Sequence, residues 1–150
     1  MKNLVEKLPD QQPALRVMAM PPDTNQYGDV FGGWIMSQVD LAGSSIASRV
    51  ANSRTATVAV TSFTFKEPVW VGDVVSFYAT VLKVGTTSIT VDVTVFAERL
   101  HKDNHRIVKV TEAQLVFVAL NKDGRPQPVY RADNPAPEKT RIENYSANFG

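Results

Sequence analysis

The run from Gly32 to Ala51 constrains this chain more than any other stretch. Trp34, Ile35, Val39, Ala42, Ile46, Val50 and Ala51 recur at helical spacing, and Met36, Leu41, Gly43 and Ala47 fill much of the opposite face. A helix that is apolar nearly all round is a buried helix, so something must wrap it. It is not a membrane span, because Ser37, Gln38, Asp40, Ser44, Ser45, Ser48 and Arg49 interrupt it.

The rest of the chain supplies the wrapping. Ala14–Met20 reads as a short strand closed by Pro21-Pro22, where proline removes a ladder donor. After the helix, Thr57–Lys66, Val74–Val84, Thr87–Leu100 and Lys109–Leu120 are rich in β-branched and aromatic residues. In the third of these, Ile89, Val91, Val93 and Val95 share one face and Thr90, Asp92 and Thr94 the other. Gly72-Asp73, Gly85-Thr86 and the polar stretch 101–106 read as turns. Short links between sequential strands imply an antiparallel sheet. One long helix on one curved antiparallel sheet is an α+β arrangement. Residues 1–13 read as a loose leader without the apolar core of a signal peptide, and 14–120 as one domain. Residues 121–150, with Pro126, Pro128, Pro135 and Pro137, read as a Pro-rich tail, disordered or packed on a neighbour.

Composition removes several functional classes. With 43% apolar and 21% charged residues in 150, the chain is one globular domain. A net charge of +1 gives no electrostatic reason to expect nucleic acid as a partner. The absence of cysteine excludes disulfides, thiolate metal sites and cysteine nucleophiles, and it fits a reducing, cytoplasmic setting. There is no G-x-S-x-G, P-loop or G-x-G-x-x-G pattern.

Asp40 is the residue most in need of explanation, a carboxylate midway along a helix expected to be buried. Such a group costs several kcal/mol unless it is paired or hydrogen-bonded. It is either tied to a neighbour such as Ser44, one turn on, or chemically active. Gly32-Gly33 opens the same helix. Glycines there either form a tight entry or let a ligand approach free amides at the positive end of the helix dipole. Eight residues of helix separate Gly32 from Asp40, a rise of ~12 Å. A base must lie within a few Å of the reacting carbonyl. If both features act in one reaction, they come from two chains.

Other candidates have plainer readings beside them. Asn25 either orients a water or carbonyl, or is an ordinary turn asparagine. Gly85-Thr86-Thr87-Ser88 offers amides and hydroxyls to a phosphate, and is equally a hairpin turn. His101 and His105 read as members of a solvated hairpin, and no metal site is expected.

The run Asn25–Asp40 (NQYGDVFGGWIMSQVD) closely resembles the signature of the YciA-type acyl-CoA thioester hydrolases, which are hotdog-fold enzymes. Thr57–Phe65, Pro68–Val75, Gly85–Ser88 and Thr111–Ala113 are similar to further segments of that family, and the resemblance covers Leu15 to Pro128. It implies a long helix wrapped by an antiparallel sheet, a dimer with a continuous sheet, and dimers that commonly trimerise. It implies hydrolysis of acyl-CoA to free CoA and a carboxylic acid, with no cofactor beyond the CoA of the substrate and no membrane partner. By the same resemblance Asp40 is the catalytic carboxylate, as general base or as nucleophile. Gly32 and Gly33 supply the amide that polarises the thioester carbonyl, and Asn25 helps to position water or carbonyl. Gly85, Thr86, Thr87 and Ser88 are placed near the CoA moiety, and Thr61 and Ser62 near the substrate. Thr61 departs from the pattern, since many relatives carry an aspartate there.

Three rivals are weaker. A thioester hydratase typically needs a histidine with an acid, and both histidines here sit far along the chain from the helix. A non-catalytic acyl-CoA sensor would not need Asp40. A serine hydrolase needs an activating base beside a serine, and no histidine is suitably placed. Acyl chain preference is expected to depend on Trp34, Met36, Phe63 and Phe65 together with a second chain.

Overall fold

A computed structural model describes residues 2–102 and 104–137. Its elements are β1 (Leu4–Val5), β2 (Leu15–Met18), a 3-10 turn (Pro21–Asp23), α1 (Gly32–Ala51), β3 (Arg54–Phe65), β4 (Val74–Val84), β5 (Ser88–His101) and β6 (Asn104–Leu120). The strands form one antiparallel sheet in the order β2-β4-β5-β6, and the outer edge of β6 is shared by β1 and β3.

The expected α+β layering holds, but the strand order is not that of a meander. β3 and β4 are adjacent in sequence yet lie at opposite ends of the β3-β6-β5-β4 path, so residues 66–73 cross over instead of closing a hairpin. Gly72, at φ +89°, sits in the turn that the Asp73 amide closes onto the Trp70 carbonyl, 3.1 Å. The polar stretch at 101–106 is also shorter as a turn than its composition implies, because β5 runs to His101 and β6 begins at Asn104.

The helix lies on the concave face. Ile35, Val39, Ala42, Gly43, Ile46, Ala47, Val50 and Ala51 are buried, and they meet Val91, Val93, Leu115 and Phe117 in a single core. Gly43 has a packing reason: a Cβ there would lie 3.0 Å from the Phe117 ring. The alternation read from β5 is confirmed, with Ile89, Val91, Val93 and Val95 buried.

The expectation of a helix buried all round fails for the single chain. Met36 is 42% and Leu41 57% exposed, and beside them on β3 Val58 and Val60 are 57% and 46% exposed. The sheet covers one side of α1 and leaves this second apolar stripe open.

Residues 3–8 and 126–134 make defined contacts that the leader and tail readings did not include. Leu4 and Val5 pair with Val108 and Ile107, and Val5 and Leu8 pack on Tyr78, Phe96 and Ile107 against the outer face of the sheet. Beyond β6, Val129 is buried and its amide donates to the Thr86 carbonyl, 2.8 Å. Arg131 donates to the carbonyls of Ala51 (2.9 Å) and Asn52 (3.1 Å), and Asn134 Nδ2 to those of Val50 (3.0 Å) and Ala51 (3.1 Å). These donors satisfy the last carbonyls of α1 and place a cation at the negative end of its dipole. The remainder of the expected tail, residues 138–150, lies outside the described residues.

Candidate active site

Asp40 faces the open side of α1 and is half-buried. Its carboxylate does not bond to Ser44. It accepts a hydrogen bond from Thr57 Oγ1 on β3 at 2.5 Å, the short range expected of a charge-assisted O–H donor. β3 carries bulges at Val58 and Thr61, where two residues oppose one on β6. A bulge re-aims neighbouring side chains, and the first lies next to Thr57. Met36, Ser37, Asp40, Thr57, Val60, Phe63 and Leu115 enclose a pocket of ≈ 260 Å³. A carboxylate among apolar walls is thus placed to act on a group that enters this pocket.

The start of the helix is built differently. Phe31 is the N-cap and gives no side-chain hydrogen bond, while its carbonyl accepts from the amides of Trp34 (3.1 Å) and Ile35 (3.3 Å). The two amides before these, Gly32 and Gly33, have no carbonyl within the helix to reach. Gly32 is close-packed, since a Cβ there would lie 3.1 Å from Phe65 Cζ. Around Gly33 a Cβ would meet nothing within 4 Å. A second pocket of ≈ 350 Å³ lies here, lined by Val30, Gly32, Ile35, Phe65, Pro68 and Val69 among others. Two separate hollows therefore flank the helix, one lined by Asp40 and one by Gly32, and they share no lining residue.

The remaining candidates fall at varying distance from this chemistry. Asn25 is a turn residue: its Oδ1 accepts from the amides of Tyr27 (2.9 Å) and Asp29 (3.1 Å). Thr61 is exposed, and its hydroxyl donates to the Gln114 carbonyl, 3.3 Å. Ser62 is exposed on the same strand and pairs with Gln114. Gly85–Ser88 is a tight turn, with the Gly85 amide on the Ser88 carbonyl at 2.8 Å and Thr86 exposed. A third hollow, ≈ 830 Å³, lies by β1 and the start of β6 and shares no lining residue with the pocket at Asp40. Its one histidine, His105, is engaged by Glu98 Oε2 at 3.2 Å.

Two side chains with notable contacts were not singled out in the sequence. Thr57 sits 17 positions from Asp40, and only the β3–β6 pairing makes them neighbours. Arg99 is buried with Asp73, 4% exposed each, and its Nε lies 3.3 Å from Asp73 Oδ2. A signal for Arg99 existed: the alternation that turns Ile89 to Val95 inward also turns Ala97 and Arg99 inward.

A long helix on the concave face of one antiparallel sheet, with a carboxylate midway along its open face and free amides at its start, defines the hotdog class. The thioesterase superfamily model matches residues 27–102. The acyl-CoA thioester hydrolase YciA of Salmonella typhimurium is 43% identical over 126 residues, 83% of this chain and 95% of that protein. A hexameric broad specificity acyl-coenzyme A thioesterase, crystallised as an aspartate-to-alanine mutant, superposes with a TM-score of 0.79 at 40% identity, covering 90% of this chain and 94% of that one. The hexameric hotdog fold thioesterase of Campylobacter jejuni gives 0.77 at 36% identity, covering 91% and 97%. The chain belongs to the thioesterase superfamily, among the relatives of the YciA acyl-CoA thioester hydrolases. Among the described residues no helix is long and apolar enough to cross a membrane.

Proposed function

We propose that this chain hydrolyses acyl-CoA to free CoA and a carboxylic acid, at sites assembled from two copies of itself. The observation that carries the reading is the separation of Asp40 from the Gly32–Gly33 amides along one helix, with an uncovered apolar stripe between and around them. An antiparallel pairing of two such helices sets Asp40 of one copy against the glycine amides of the other. It also covers Met36, Leu41, Val58 and Val60.

The chemistry follows from what each group offers. The thioester carbonyl accepts from the helix-terminal amides, which stabilise negative charge as it develops on oxygen. In one route Asp40 takes a proton from water as the water oxygen bonds to the carbonyl carbon. The tetrahedral intermediate collapses, the C–S bond breaks, and the CoA thiolate leaves to be protonated. In the other route Asp40 attacks directly, CoA leaves, and water cleaves the resulting anhydride. Thr57 holds the carboxylate in either route. Asn25 Nδ2 is the donor for water or carbonyl, and Thr61 and Ser62 border the substrate on β3. The exposed Gly85–Ser88 turn meets the CoA moiety. The relatives described as hexameric support a homo-oligomer here, a dimer or a trimer of dimers. Coenzyme A enters only as part of the substrate, and the cytoplasm, where acyl-CoA is met, is the proposed location.

The test is free-thiol release from acyl-CoAs of increasing chain length, wild type against Asp40→Asn. Loss of about 10²- to 10⁴-fold in kcat, with the oligomer intact, is the expected result. Equal activity would make Asp40 structural, and binding of CoA without turnover in either protein would favour a sensor.

A further inference from the structure

Arg99 has an environment that stability alone does not explain. A buried ion pair is often matched or exceeded in stability by well-packed apolar residues, so its presence is weak evidence for a stabilising role. The side-chain contacts of Arg99 fall on one segment, the crossover at 66–73. Its Nε faces Asp73 Oδ2 at 3.3 Å, its Nη2 donates to the Pro68 carbonyl, and its guanidinium carbon lies 3.9 Å from the centroid of the Trp70 ring. Asp73 Oδ2 in turn accepts from the Trp70 amide at 3.0 Å. One planar fork thus fixes three points of a single connection, which the point charge of a lysine does not reproduce.

That connection touches the amide half of the site. The Val69 carbonyl, inside the pinned segment, accepts from the Val30 amide at 2.9 Å. Trp70 forms a ladder bridge with Asp29, and Asp29 closes the Asn25 turn through its amide to Asn25 Oδ1 and its carbonyl to the Asn25 amide. Val69 and Pro68 also wall the pocket at Gly32. The path from Arg99 to the start of α1 runs through one short segment, by way of the buried residues Val69 and Val30.

We infer that Arg99 is a positioning residue: through the 66–73 crossover it sets the Asn25–Phe31 loop and the Gly32–Gly33 amides at the distance the thioester carbonyl needs. This rests on the reading that those amides polarise the carbonyl. The role is one of alignment. An error near 1 Å at a reacting centre costs about a hundredfold in rate.

The experiment compares wild type, Arg99→Lys and Trp70→Leu for kcat and KM, each checked for oligomeric state and melting temperature. In parallel, the infrared carbonyl band of a carbonyl-labelled short-chain acyl-CoA is recorded bound to Asp40→Asn and to Asp40→Asn with Arg99→Lys. The expected result for Arg99→Lys is a fall of about 10- to 100-fold in kcat with a smaller change in KM, and a bound carbonyl band displaced less from its position in water. Trp70→Leu acts in the same direction with a smaller effect, and carries the test if Arg99→Lys does not fold. A folded, oligomeric Arg99→Lys with wild-type kcat overturns the inference, as does one whose loss of kcat leaves the carbonyl band unmoved. A wild type that releases no thiol, or an Asp40→Asn complex whose carbonyl band stays where it is in water, removes the underlying reading and the inference with it.

Discussion

Gly33 and Gly43 lie on the same helix and illustrate its two sides. At Gly43 the Phe117 ring stands 3.0 Å from where a Cβ would be, and the residue is glycine because the sheet packs against it. At Gly33 an added Cβ would meet no described residue within 4 Å beyond its own helix backbone and chain neighbours, and no positive φ demands glycine. The inner side is specified by its own fold. The outer side, with Gly33, Met36, Asp40 and Leu41, is the side the sheet leaves open. A residue type whose reason is missing inside one chain points to a contact outside it, with substrate or with a second copy.

Substitutions that separate the two sides sharpen this contrast. Gly33→Ala is expected to lose about 10²-fold in kcat/KM, the scale of one misdirected oxyanion donor. Its melting temperature should be equal or higher, because alanine is the better helix former. A wild-type rate in that variant would place the outer glycine on the same footing as a helix entry turn. Thr57→Val should lower kcat by about tenfold, since it removes the hydroxyl on Asp40 and the remaining chemistry is intact. An unchanged rate there would show that the carboxylate needs no holding from β3. Gly43→Ala is expected to do the reverse of Gly33→Ala. Crowding against Phe117 outweighs the gain in helix propensity, leaving a net loss of roughly 1 kcal/mol, about 2–4 °C in a chain of this size. Thiol release per folded molecule should be retained.

The smallest effect is expected on the outer face of the sheet, remote from both hollows. Burial raises the Asp92 carboxyl above its ordinary range, opposed by the Thr94 hydroxyl and reinforced by the charge of Glu112. A carboxyl raised in the folded state favours folding below its unfolded value and loses that contribution as pH rises through the folded value. Ionised Asp92 therefore costs stability at neutral pH. Asp92→Asn should raise the melting temperature there by under about 2 °C, a shift that fades on acidification. A uniform gain at all pH values would assign the effect to packing instead.

How much of this was legible in the sequence depends on whether the relevant contacts are local. The helix and the inward set Ile89–Val95 follow from periodicity, and eight residues of helical rise already imply that Asp40 and the Gly32–Gly33 amides, if they act in one reaction, come from two chains. The bond from Thr57 to Asp40 does not, because it depends on β3 pairing with β6 in place of β4, a non-local choice that no window of sequence encodes. The same holds for Arg131 and Asn134, which cap α1 from some 80 positions away. Their stretch reads as a tail because proline and polar residues dominate it, while its role lies in satisfying carbonyls at the end of another element. Asn25 shows the opposite limit: the turn reading from composition is borne out, and what its Nδ2 does with substrate depends on a molecule outside the chain.

The central claim is that one active site is completed by two subunits, and subunit complementation tests it most directly. Asp40→Asn and Gly33→Val are each expected to be nearly inactive alone. Unfolded together and refolded as a mixture, half of the random dimers are mixed, and each mixed dimer holds one intact site out of two by the two-fold symmetry. About a quarter of wild-type specific activity should return. A mixture that stays as inactive as its components, with mixed dimers shown to be present, would place Asp40 and the glycine amides in the same chain's site and contradict the account.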